Sequence, residues 1–456
     1  MNSLLTILFL SCYAGCVCML FTSKRQYFLY ATLLLVATND LIFVPLDKVM
    51  PPTLLLISKA WKEYFIGGLL LYNMMQRRST GFGVISVRVF RIAAVICVLS
   101  ALGLAIGLMR SGLGDGIQQW RRYFVPLLLA LLIAASDLPR RISARRAINL
   151  LIALACVMAV FSLYEYLSFT GDFTKLWYYE FVARSKESIE TESRMLQYQF
   201  MRDDSLRATG FFISAIEYSL FNAMVIAYAV LSIPNTRGFD RRLRLLLVIA
   251  LLLAGEVVAS VRIGWVMLAL ALLCALQLHV YRIRSFAKLA AMPVAMLLFS
   301  FAMIVVAKTD LDASSVGRLA QYASVPAQFR PQGYGLGAIT NNGETYKDSW
   351  YISVLMVFGV ASVGYVWLMF SPVTKALRRL GSGPQSGLAA DRAAYTMALG
   401  TISLSIAQLY VFGFHYSTGL SHLYVVQIFM FLVWFRMLEK PEPAPEQAQH
   451  PMASPA

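Results

Sequence analysis

At 456 residues, with 59% hydrophobic and only 14% charged residues and a mean hydropathy of +0.64, the chain carries too much apolar surface for a soluble domain. The formal charge of +16 would suggest nucleic acid in a soluble protein, but the basic residues cluster in short loops between apolar runs. They are therefore a topology signal, with no nucleic-acid partner implied. Cys12, Cys16, Cys18, Cys97, Cys156 and Cys274 all fall inside apolar runs, so neither a disulfide framework nor a thiolate metal site is implied.

A window of about twenty apolar residues predicts an all-α polytopic membrane protein with about 12 to 13 transmembrane helices. The predicted spans are 3–21, 27–44, 53–75, 91–109, 121–137, 147–168, 210–232, 243–259, 263–281, 289–307, 348–370, 394–413 and 422–437. Tyr13-Ala14-Gly15-Cys16 loosely resembles a lipoprotein cleavage site, but no basic segment precedes it, so 3–21 is read as a first membrane helix. Lys24 and Arg25, Arg77 and Arg78, Arg140 to Arg146, Arg237 to Arg244, Arg282 and Arg284, and Lys375 to Arg379 fall on alternate loops. The positive-inside rule puts that side in the cytoplasm, leaving the long loops 169–206 and 308–347 on the periplasmic side. Residues 1–437 then form one transmembrane domain, and the Pro-, Ala- and Glu-rich stretch 438–456 is a disordered cytoplasmic tail.

The loop before the eleventh span is too long for a mere connector and reads as the working surface of a membrane enzyme. Arg318, Arg330 and Lys347 supply cationic donors suited to a phosphate, and Gly333, Gly335 and Gly337 allow backbone to approach a ligand closely. Asp348 stands where that loop enters the next helix, placed either to act as a general base or to sit at a helix N-terminus for its dipole.

Two further arginines belong to the same face. Arg207 precedes the seventh span, and Arg262 lies in the tight turn between the eighth and ninth. Each guanidinium can grip a diphosphate bidentately; the alternatives are snorkelling or, nearby, pairing with Asp203 and Asp204. Glu217 and Glu256 are ionisable groups inside spans, hence either functional or structural partners of an arginine. Lys59, Lys62 and Glu63 are spaced to neutralise one another on one helix face. His415 and His422 suit hydrogen bonding, and Trp177, Tyr178, Tyr179 and Phe181 suit an interfacial aromatic belt or sugar stacking.

Three segments together resemble the bacterial O-antigen polymerase and O-antigen ligase superfamily of polytopic glycosyltransferases. They are Arg207-Ala208-Thr209-Gly210-Phe211-Phe212, Ala259-Ser260-Val261-Arg262-Ile263-Gly264-Trp265, and Gly333-Tyr334-Gly335-Leu336-Gly337 followed by Asp348-Ser349-Trp350-Tyr351-Ile352 and Gly359. The resemblance covers about the second half of the chain and implies transfer of an undecaprenyl-diphosphate-linked oligosaccharide at the periplasmic face of the inner membrane. It implies that Arg207 and Arg262 hold the diphosphate and that Asp348 accepts the proton. Arg318 and Arg330 would position the sugars, with Gly333, Tyr334, Gly335, Lys347 and Glu256 contributing to substrate binding. The implied partners are the lipid-linked oligosaccharide, a glycan acceptor, membrane lipid and a chain-length regulator, with no cofactor. Ligases of the superfamily carry histidine where this chain has Asp348, which favours a polymerase over a ligase acting on lipid A core. Asp310 and Asp312 form an Asp-x-Asp pair of the kind some such enzymes use for a divalent cation, but Lys308 offers a neutralising partner and the site is read as metal-free. A transporter of lipid-linked oligosaccharide is the alternative from another class.

Overall fold

The structure is a computed structural model that describes residues 2–80, 84–184, 200–202, 205–306, 313–337, 349–380, 391–415 and 420–438. Lys347, Asp348, Asp203, Asp204, Asp310, Asp312 and the tail from 439 onward lie outside the described residues, as does the side chain of Arg318.

The chain is an all-α multi-pass membrane protein. Among the described residues, eight helices are long and apolar enough to cross a membrane, and Leu4–Met19 and Ser421–Trp434 are shorter apolar helices. In chain order the helices are α1 (Asn2–Met19), α2 (Gln26–Leu46), α3 (Pro52–Lys59), α4 (Trp61–Thr80), α5 (Val84–Ser111), α6 (Leu113–Ala135), α7 (Leu138–Arg141), α8 (Ala144–Ser168) and α9 (Tyr179–Arg184). A hairpin of β1 (Met201–Arg202) and β2 (Ser205–Leu206) follows. The second half comprises α10 (Ala215–Ser232), α11 (Phe239–Ala259), α12 (Arg262–His279), α13 (Phe286–Val306), α14 (Ala313–Gln328), α15 (Trp350–Phe358), α16 (Ser362–Leu380), α17 (Arg392–Phe414) and α18 (Ser421–Leu438). Helix α17 is the axis of the bundle, buried along nearly its whole length and packed by α12, α13 and α18. Its start is capped by Asp391, whose carboxylate accepts from the N–H groups of Ala393 and Ala394.

Two predicted spans are broken. The span 53–75 divides at Ala60 into α3 and α4. Lys59, Lys62 and Glu63 therefore do not neutralise one another along one helix: Glu63 pairs with Arg121 of α6, Lys62 lies 4.4 Å from the Tyr424 ring centre, and Lys59 lies 5.4 Å from that of Phe181. The span 348–370 breaks at Gly359, which has φ +55°. A Cβ there would sit 2.1 Å from the Pro331 carbonyl oxygen, so only glycine admits the loop that packs into the break.

That loop, residues 331–337, is stitched to its neighbours by backbone. Tyr334 and Gly335 N–H donate to Met356 and Val357 carbonyls at 2.8 and 3.0 Å, and Leu336 N–H donates to Gly103 of α5 at 2.8 Å. Leu336 is fully buried against α5.

At the arginine-rich end, Asp137 joins three elements. It accepts from Tyr72 Oη at 2.6 Å and pairs with Arg25 at 2.7 Å and Arg141 at 2.9 Å. Burial alone would push its carboxyl up, but the Tyr72 hydroxyl and the two guanidiniums outweigh that and hold it below the usual range. A depressed folded-state value contributes stability at neutral pH that is lost as pH falls towards and through it. Asp137→Asn is therefore expected to lower the melting temperature at pH 7, with the gap from wild type narrowing below about pH 4. Thermal melts in detergent across pH check this, and a gap independent of pH contradicts it.

Candidate active site

The predicted arginines Arg207 and Arg262 sit on adjoining backbone at the end of the bundle opposite the arginine-rich loops. After the β1–β2 hairpin, Arg207 N–H donates to the Phe200 carbonyl at 2.7 Å, and the next residue, Ala208, donates to Val258 in the last turn of α11 at 3.1 Å. Helix α11 then ends in Ser260, a non-glycine residue in the left-handed region with φ 54° and ψ 38°. This tight reversal lets Arg262 open α12. Arg262 is exposed and Arg207 half-buried. The first turn of α12 presents backbone N–H groups without helical acceptors, so guanidinium charge and helix dipole add at this point. Backbone N–H groups and a guanidinium are the two kinds of donor that suit a diphosphate.

Glu165 holds this turn in place, and sequence reasoning missed it. It lies near the end of α8, is almost fully buried, and accepts from the Thr209 N–H at 2.9 Å. Gly210 follows with φ +58° against the Tyr218 ring. The available signal was a lone carboxylate at the end of an apolar run, the pattern that marks function or a specific partner in a membrane helix. Removing the acceptor strands a buried N–H, at a cost of about 1–3 kcal/mol. Glu165→Ala is thus expected to lower the melting temperature of purified protein, with Glu165→Gln intermediate because its amide oxygen still accepts. Equal melting of Glu165→Ala and wild type contradicts the clamp.

The glycine-rich loop forms a second place of convergence, on other elements. Arg330 and Arg110 have their guanidinium carbons 4.7 and 5.4 Å from the Tyr334 ring centre, and Tyr334 Oη donates to the Gln328 carbonyl at 2.7 Å. Arg330 and Arg110 are exposed, so the aromatic face holds two cations at the rim. Gly333, Gly335 and Gly337 all have positive φ, and their close approach is to neighbouring backbone: a Cβ on Gly335 would lie 2.2 Å from Gly107 N. Arg318 belongs to α14, which enters this loop.

Glu256 is fully buried and its carboxylate is satisfied by donation from Ser219 Oγ and from Asn222 Nδ2, the latter at 3.0 Å. Its partners are two α10 side chains rather than an arginine, and they tie α10 to α11. Glu217 instead faces a charged cluster: its carboxylate accepts from Ser421 N–H at 2.7 Å, within electrostatic reach of Asp40 and Lys62. Asp40 accepts from Asn39 at 3.0 Å and from Ile213 N–H at 3.4 Å. The neighbouring His422 is fully buried with both ring nitrogens lacking a hydrogen-bond partner. Asp40 and Arg121 were given no site role from sequence, because Ile213 and Glu63, which they meet, are far from them in the chain.

A scan of protein-family models finds none that matches this chain, and a search of curated proteins finds no match to it either.

Proposed function

We propose that this protein is a membrane glycosyltransferase that polymerises undecaprenyl-diphosphate-linked repeat units at the periplasmic face of the inner membrane, making O-antigen, exopolysaccharide or capsule. The observation that carries this is the hydrogen bond between Ala208 and Val258, which seats Arg207 and Arg262 on adjoining backbone away from the arginine-rich end. In the proposed reaction an acceptor hydroxyl attacks the anomeric carbon of the donor's first sugar. The bond from that carbon to the diphosphate oxygen breaks, and the arginines stabilise the charge on the departing diphosphate. Asp348 takes the hydroxyl proton, while Arg318, Arg330 and Lys347 orient donor and acceptor.

One observation favours transport of a lipid-linked oligosaccharide instead. The cluster of Asp40, Lys62 and Glu217 lies among helices, two of the predicted spans are broken, and intramembrane charges with broken helices mark transport pathways. Purified protein in detergent, given a lipid-diphosphate-linked repeat unit, separates the two. Lengthened glycan supports the polymerase; movement of the substrate only across sealed vesicles supports the transporter. Transfer only when lipid A core is supplied identifies a ligase.

A further inference from the structure

A pocket of about 1020 Å³ opens at the arginine-rich end, between α8, the linker after α10, α11 and the start of α17. Arg145, Arg237, Arg241, Arg244 and Arg392 line it, opposed by the single carboxylate of Asp391, which already caps α17. None of the ion pairs formed by the described residues involves these five arginines.

The pocket is graded along the helix axes. On α11 its lining residues are Arg241, Arg244, Leu245 and Val248, spaced i, i+3, i+4 and i+7 on one face. On α8 they begin with Arg145 and continue through Ile148, Asn149, Ile152, Ala153 and Cys156. Guanidiniums thus sit at the rim, and an apolar wall runs from them towards the middle of the bundle. A ligand with an anionic head and hydrocarbon behind it satisfies both parts. Basic pockets between membrane helices at this level bind anionic lipid headgroups.

We infer that this pocket is a binding site for an anionic glycerophospholipid, its phosphate held by Arg145, Arg241 and Arg244 and an acyl chain lying along Ile152, Cys156 and Val248. The inference is independent of the proposed glycosyl transfer, whose arginines are at the other end. The topology rule alone explains basic residues here, but it does not distinguish Arg145 from Arg146 or Arg241 from Arg242. Only the first of each pair lines the pocket.

That difference sets the test. Native mass spectrometry of the detergent-purified full chain is used to titrate phosphatidylglycerol, phosphatidylcholine and inorganic phosphate against wild type, an Arg145→Gln/Arg241→Gln double variant and an Arg146→Gln/Arg242→Gln double variant. The expected result is a loss of about tenfold in phosphatidylglycerol binding for the first variant only. Phosphatidylcholine should bind weakly throughout, and phosphate should not displace the lipid. Equal losses in both variants, or displacement by phosphate, overturn the proposal. Wild type photolabelled by phosphatidylglycerol with a photoreactive acyl chain covers the case of a misfolded variant. Adducts within 148–156 or 245–248 support the site, and adducts confined to other segments overturn it.

Discussion

Arg207→Ala and Arg262→Ala are each expected to cut glycan lengthening by about 10²–10³-fold, the usual cost of removing one preorganised donor from a developing anion. The protein should remain in the membrane at wild-type level, because Arg262 is exposed and the Arg207 N–H bond to the Phe200 carbonyl survives the substitution. Arg262→Lys keeps the charge and loses the planar fork, so it should fall between wild type and alanine. The double alanine variant is the sharper measurement. If both guanidiniums clasp one diphosphate, removing the second costs little beyond the first. Losses that multiply indicate two separate anion sites. Full-length polymer from both single variants would remove these residues from the mechanism. Elongation by purified protein, read on a gel beside an immunoblot of membranes, gives all of these outcomes.

Gly107→Ala and Gly67→Ala are the same substitution in helix interiors, yet they should move stability in opposite directions. A Cβ on Gly107 would lie 1.8 Å from the Leu336 carbonyl oxygen, which is backbone and cannot rotate away. Helix α5 and the glycine-rich loop would have to separate, costing about 3 kcal/mol and lowering the melting temperature by roughly 3 °C for a chain of this length. Around Gly67 nothing lies within 4 Å of the added carbon. There alanine brings only its better helix propensity, about 1 kcal/mol. Gly335→Ala should resemble Gly107→Ala, since it combines φ +84° with a Cβ 2.2 Å from Gly107 N. Melting curves showing Gly107→Ala no less stable than Gly67→Ala would contradict the packing of this loop.

Both predictions start from residues visible in the sequence, but to different degrees. Arg207 and Arg262 stood out because they flank spans on the face opposite the arginine-rich loops. Their proximity to each other was not visible, since it rests on one hydrogen bond between residues 208 and 258. The glycines of the 333–337 loop announced a close approach. What they approach, Gly103, Gly107 and Gly359, lies on other helices. Glu165 and Arg110 were passed over for the same reason: a charged residue near a helix end looks like any other until its partner is placed.

The all-helical, membrane-crossing architecture was legible from residue order alone, because the transfer of about twenty consecutive side chains into hydrocarbon is a sum over neighbours in sequence. The separation of arginine-rich loops from the two long ones was legible for a similar reason, charge counted loop by loop. The breaks at Ala60 and Gly359, the Glu63–Arg121 pair, the Glu165 clamp and the graded pocket beneath α8 and α11 were not. Each depends on which helix faces meet, and in lipid that choice is made by side-chain packing and by satisfying every polar group internally. These are contacts between residues tens to hundreds of positions apart, and no local window contains them.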